Sequence, residues 1–137
     1  MTDERHKLIY LDNAATTMPY DDVVKVVEEA MRHTFGNPSS LHRLGVEAEE
    51  LLQQSRDMVA ASLQVQPREI TFTSGGTESN NMALKGVGAA YQRKGKHIIA
   101  SAVEHKSVLN TLQAMEEKGF EVTYLPVNPD GIVDLDL

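Results

Sequence analysis

The chain has 137 residues, 41% of them apolar, and a formal net charge of −7 with its acidic residues spread rather than blocked. That length suffices for one ordinary domain, and the charge disfavours nucleic acid, whose binding needs Lys and Arg clustered on one face. With no cysteine, these residues hold no disulfide, no thiolate zinc site and no cysteine nucleophile.

The start, Met1 to Lys7, is charged and lacks the apolar stretch of a signal peptide. No apolar run reaches transmembrane length. A soluble, cytoplasmic protein with no metal site and no membrane partner is expected.

Leu8 to Leu11 reads as a short extended segment, followed by small and polar residues through Thr17. Pro19 or Tyr20 opens a helix to about His33, with Val23, Val24, Val27, Ala30 and Met31 as its apolar stripe. Gly36 and Asn37-Pro38 force a loop. Ser39 or Ser40 is the expected cap of a second helix that runs to about Leu63. Leu44, Ala48, Leu51, Leu52, Ser55, Met58, Val59 and Leu63 form its inward face.

After Pro67 the texture changes. The sequence predicts strands at Ile70 to Thr73, His97 to Ser101 and Phe120 to Leu125, with helices at about 77–93 and 106–118 between them. In the first of those helices Ala83, Leu84, Val87 and Tyr91 are expected inward. Strands alternating with helices of this length indicate an α/β fold with a parallel sheet. Asn128-Pro-Asp-Gly131 is a turn, with a further element starting beyond it. Three parallel strands leave two open edges, so the chain is expected to be part of a larger structure.

The run Ile70-Thr-Phe-Thr-Ser-Gly-Gly-Thr-Glu-Ser-Asn80 carries the main chemical signal. Two glycines between a strand and a helix start can expose several backbone N–H groups, to which the helix adds roughly half a positive charge. The Thr77 hydroxyl supplies a further bond, and the set suits a phosphate. Neither G-x-x-x-x-G-K-S/T nor G-x-G-x-x-G is present, and a plain strand-to-helix turn with a threonine cap reads equally well. Glu78 favours the helix dipole, but beside a phosphate it must point away. His105 follows a strand at the C-terminal edge, where open α/β sheets place ligands. A phosphorylated aromatic ligand stacked on that imidazole fits both features. Lys106 invites a Schiff-base role, though nothing in the sequence desolvates it.

Tyr10-Leu-Asp-Asn-Ala-Ala-Thr-Thr17, Phe35-Gly-Asn-Pro-Ser-Ser40, Phe72-Thr-Ser-Gly-Gly-Thr-Glu-Ser-Asn-Asn81 and Glu104-His-Lys106 occur in this order. Together they resemble the cysteine desulfurases of the NifS/IscS branch, which belong to the pyridoxal-phosphate-dependent class V aminotransferases. The resemblance implies an α/β fold in which residues 1–66 form an N-terminal arm and helices. Residues 67–137 then form the first, incomplete part of the fold type I large domain that binds pyridoxal 5′-phosphate. It implies that Gly76 and Thr77 hold the cofactor phosphate, and that His105 stacks on the ring and helps move protons. Asn13, Ala14 and Ala15 are implied near the substrate, and the Asn37-Pro38 loop near a homodimer interface.

The implied reaction takes sulfur from L-cysteine, leaving L-alanine and an enzyme persulfide that passes to an acceptor protein for iron–sulfur cluster or thio-cofactor synthesis. In that family the Schiff-base lysine, the aspartate facing the pyridine nitrogen and the sulfur-accepting cysteine all match positions beyond residue 137. The chain therefore corresponds to the first third of such an enzyme, and these residues alone are expected to be inactive. A selenocysteine-lyase-like relative and a non-catalytic phosphate- or partner-binding module are the alternatives.

Overall fold

The computed structural model describes residues 9–133, so Leu8 of the predicted extended segment and the end of the predicted tail lie outside the described residues. The chain divides into two compact units, the first ending at Ile70 and the second starting at Thr71.

In the first unit, α1 spans Asp21–His33, with two acids in its first turn and Arg32 and His33 in its last, which suits the helix dipole. The expected stripe is there, but it is uncovered. Val23, Val24, Val27 and Met31 are 47–74% exposed, and α1 buries no residue.

The loop from Phe35 to His42 folds against the start of α2 (Arg43–Leu63). Asn37 organises it: its side-chain oxygen accepts from the Ser39 N–H and its carbonyl accepts from the Ser40 N–H, both at 2.9 Å. Two glycines let the backbones touch. A Cβ on Gly36 would stand 2.1 Å from the Leu44 carbonyl oxygen, and one on Gly45 would stand 2.1 Å from that of Ser40.

The cap of α2 differs from the expectation. His42 supplies it, its Nδ1 accepting from the Gly45 N–H at 3.3 Å. Ser39 and Ser40 are held in the Asn37 turn, before the helix begins. Only Gly45, Ala48 and Ala60 of α2 are buried. Met58 and Leu63, expected inward, are 68% and 62% exposed. Gln64 closes the helix in the left-handed region at φ 56°. A single 3₁₀ turn, Pro67–Glu69, follows, and Arg56 of α2 donates to the Ile70 carbonyl at its end.

The second unit runs α3 (Gly76–Tyr91), β1 (His97–Ser101), α4 (Lys106–Glu116) and β2 (Glu121–Leu125). The two strands pair in parallel from His97 opposite Glu121 to Ser101 opposite Leu125. Their connection is α4, as a β-α-β unit requires. The unit's core is built on α4, where Leu112 is fully buried and Met115 and Thr111 are each 3% exposed. Helix α3 packs on α4 at Gly88, where a Cβ would stand 2.5 Å from the Met115 methyl. Val87 and Tyr91, expected inward on α3, are instead 61% and 53% exposed.

Residues 70–73, predicted as a strand, form no ladder among the described residues. Ile70 is extended (φ −91°, ψ 127°), so the local propensity is expressed. A strand also needs a neighbour to share its hydrogen bonds, and β1 and β2 pair with each other. No helix among the described residues is long and apolar enough to cross a membrane.

Candidate active site

The glycine pair leads directly into α3, for which Gly75 is the residue before the first turn and provides no side-chain cap. The first intrahelical-type bond runs from the Ser79 N–H to the Gly75 carbonyl at 3.1 Å. The N–H groups of Gly76, Thr77 and Glu78 are therefore the orphan donors of the first turn. Unlike Gly36 and Gly45, Gly75 and Gly76 meet nothing of the protein: a Cβ at either position has no heavy atom within 4 Å. The backbone does not demand glycine either, since φ at Gly75 is 161°, in the extended region. What the pair leaves open is the space that side chains at 75 and 76 would fill, next to the three donors.

The loop is braced from behind. Glu78 turns back on Ser74, accepting from its N–H at 2.6 Å and its hydroxyl at 2.8 Å. The Ser74 N–H, and then its hydroxyl, hold the Glu78 carboxyl below its ordinary value, against a smaller opposing effect of desolvation. The acid is thus engaged at Ser74, as a first-turn carboxylate beside an anion site must be. Thr73 Oγ1 and Ser79 Oγ lie 2.6 Å apart and tie the segment before the glycines to the helix.

His105 stands at the start of α4, one residue before its first turn, with extended backbone (φ −60°, ψ 148°). Its Nδ1 accepts from the Ser107 N–H at 3.1 Å, so the ring caps its own helix. Ser107 Oγ lies 2.8 Å from the same Nδ1 and accepts from Asn80 Nδ2 of α3 at 2.8 Å.

Thr77 and His105 line one cavity of about 400 Å³ between α3 and α4. The helix mouth and the imidazole therefore share one side of the unit. Asn81 and Lys85 continue the wall along α3, and Lys106, Ser107, Asn110 and Thr111 continue it along α4. Lys85 donates to the Asn81 side-chain oxygen at 2.6 Å, and Asn81 donates to the Thr77 carbonyl at 2.9 Å.

Sequence reasoning missed this polar stripe. Its signal was the i, i+4, i+8 spacing of Thr77, Asn81 and Lys85, which puts all three on one helical face. Gly76 immediately precedes Thr77 at the same mouth. Asn13, Ala14 and Ala15 lie in the first unit, in an exposed turn where the Ala15 N–H donates to the Asp12 carbonyl and Asn13 Nδ2 donates to the Tyr10 carbonyl. The Asn37-Pro38 loop is, in its own unit, the turn that opens α2.

Three first-turn donors, with a threonine hydroxyl and a flat ring on one cavity, can take an anionic group joined to a planar one. The profile of the Aminotransferase class-V family matches residues 9–137. The chain belongs to the class-V aminotransferases. It is 53% identical over 131 residues to the cysteine desulfurase IscS of Vibrio cholerae, and 48% identical over 128 residues to that of Dictyoglomus turgidum. Both matches cover 93% of this chain and 32% of the relative, so the chain spans about a third of the length of the curated relatives it matches.

Among solved structures, a NifS-like protein superposes with a TM-score of 0.86 at 41% identity, over 93% of this chain and 35% of that one. The apo cysteine desulfurase of Thermococcus onnurineus superposes with a TM-score of 0.80 at 31% identity, over 93% and 32%. The α/β class expected from the alternation of strands and helices is the class observed.

Proposed function

We propose that this class-V aminotransferase chain is the N-terminal third of a cysteine desulfurase, and that Gly76, Thr77 and His105 bind pyridoxal 5′-phosphate in it. The observation that carries the reading is the shared cavity of Thr77 and His105, with unpaired amides at the helix mouth beside it. The residues fit the cofactor. The N–H groups of Gly76, Thr77 and Glu78 would hold its phosphate, the open space over Gly75 and Gly76 would admit it, and the His105 ring would lie against its pyridine. When bound, pyridoxal 5′-phosphate supplies an electron sink for the amino-acid carbanion.

The chain's own residues orient and protect. The Thr77 hydroxyl, free of any protein partner among the described residues, is available to the phosphate. Glu78, engaged at Ser74, keeps its charge off the phosphate. His105, held through Nδ1, has Nε2 available to hold or move a proton at the cavity edge. Asn13, Ala14 and Ala15 are read as lying toward the substrate.

The substrate of the whole enzyme is read as L-cysteine, the products as L-alanine and a persulfide that passes to an acceptor protein for iron–sulfur cluster assembly. No cysteine occurs in these 137 residues, so the thiolate that receives sulfur belongs to another segment. Residues 1–66 are read as the arm and helices, and residues 67–137 as the start of the cofactor-binding domain. The uncovered stripe of α1 and the exposed Val87 and Tyr91 of α3 support further covering structure, read as the remaining length and a second copy in a cytoplasmic homodimer.

The test is complementation. This chain is co-expressed with the remaining two thirds of the Vibrio cholerae relative, and the purified complex is assayed for the visible band of bound cofactor and for alanine release from L-cysteine. Both are expected, and both are expected to fall at least about tenfold in T77V, which removes a hydrogen bond to a charged group. A stable complex with neither band nor alanine overturns the reading.

A further inference from the structure

His105 and Ser107 meet by two routes, and both converge on one ring nitrogen. The Ser107 N–H points at Nδ1 from 3.1 Å, which requires Nδ1 to be an acceptor. Ser107 Oγ also lies 2.8 Å from Nδ1. The direction of that second bond follows from the first: with Nδ1 an acceptor, Ser107 Oγ donates its hydrogen to it. Asn80 Nδ2, which can only donate, occupies an acceptor lone pair of the same oxygen at 2.8 Å and holds the hydroxyl in place. Were Nδ1 protonated instead, its hydrogen would face the Ser107 N–H, and the cap of α4 would be lost. Ser107 is 8% exposed and Asn80 is partly buried, so water competes poorly for these bonds.

Resting on the assignment of His105 to the cofactor site, we propose that Ser107, held by Asn80, is a positioning residue that fixes the neutral His105 ring with its proton on Nε2. The hydroxyl and the backbone amide together commit Nδ1 as an acceptor. The ring then presents a donor rather than an acceptor from Nε2, its remaining polar atom, at the cavity it lines. The Asn80–Ser107–His105 chain also joins α3 to α4, so the helix that starts at the glycine pair and the ring beside it are set by one run of hydrogen bonds. A serine two residues after the histidine looks like an ordinary second position of a helix. Only the Asn80 contact, 27 residues away in sequence, reveals the relay.

The test reads the ring nitrogens directly. In the full chain labelled with ¹⁵N, long-range proton–nitrogen correlation distinguishes a pyridine-type from a pyrrole-type nitrogen on each ring. For neutral His105, a pyridine-type Nδ1 and a pyrrole-type Nε2 are expected. In S107A one donor to Nδ1 is lost and the backbone donor stays. The Nδ1-protonated form should then gain about two- to tenfold in population. S107T keeps the hydroxyl and should restore the wild-type ratio. N80A should move it in the same direction as S107A.

A pyrrole-type Nδ1 in the wild type overturns the proposal, as does an unchanged ratio in S107A. The readout needs no cofactor. The expected tautomer supports the relay whether or not pyridoxal 5′-phosphate is taken up, and failure of uptake counts against the cofactor assignment alone.

Discussion

The carboxylate of Glu78 folds back over one helical turn and takes both polar hydrogens of Ser74, the N–H at 2.6 Å and the hydroxyl at 2.8 Å. This contact braces the glycine loop against the first turn of α3. Because these bonds favour the charged form, Glu78 is held below its ordinary value of 4.5. A carboxyl lowered on folding stabilises the folded state above its unfolded value, and that contribution is lost as pH falls through the folded value. E78Q should therefore unfold more easily than the wild type at neutral pH. The difference should shrink below pH 4.5 and vanish once the wild-type carboxyl is protonated. Denaturant titrations of both chains across that range check it, and a gap that persists unchanged into strong acid would contradict it.

The glycines separate into those that the protein itself requires and those that it does not. In G45A the new Cβ would meet the Ser40 carbonyl oxygen at 2.1 Å, a backbone atom that cannot swing aside. Overpacking of this kind costs about 1–3 kcal/mol. In G76A the Cβ meets nothing, and alanine improves a helical position by up to about 1 kcal/mol. Thermal unfolding should show G45A destabilised and G76A unchanged or stabilised. Cofactor affinity of the complemented enzyme should fall at least about tenfold in G76A, since the methyl group would fill space left open at the helix mouth.

The second unit rests on few side chains, so one truncation should be felt throughout it. Leu112 is 0% exposed and is the largest fully buried side chain among the described residues. L112A should cost about 2–5 kcal/mol. Amide exchange should accelerate in α4, β1 and β2, while α2 of the other unit serves as the internal comparison.

What the sequence revealed, and what it concealed, follows from whether a feature is local. The parallel pair at His97–Ser101 and Glu121–Leu125, and the start of α4 at Lys106, were legible because the alternation of strand and helix patterns is written within a few residues. The missing strand at 70–73 was not, because a ladder belongs to two segments at once. The cap of α2 was misread for a related reason. Serine is the usual cap, but the Asn37 turn holds Ser39 and Ser40, and His42 reaches Gly45 instead. Helical stripes did not say what covers them: Ala48 of the predicted α2 face is buried, Met58 and Leu63 of that face are exposed, and Ala60, outside it, is buried. At the site, Thr77 and His105 could be placed on one edge by topology, but Asn80 and Ser107 join only across 27 residues.

The central claim is that the amides at the mouth of α3 and the ring at the start of α4 hold one ligand. The most direct measurement is amide and ring chemical shift in the ¹⁵N-labelled chain, complexed with the unlabelled remainder of the relative, before and after pyridoxal 5′-phosphate is added. Selective movement of the Gly76, Thr77 and Glu78 amides together with the His105 ring signals is the predicted result. A visible band of bound cofactor with those signals unmoved would contradict it.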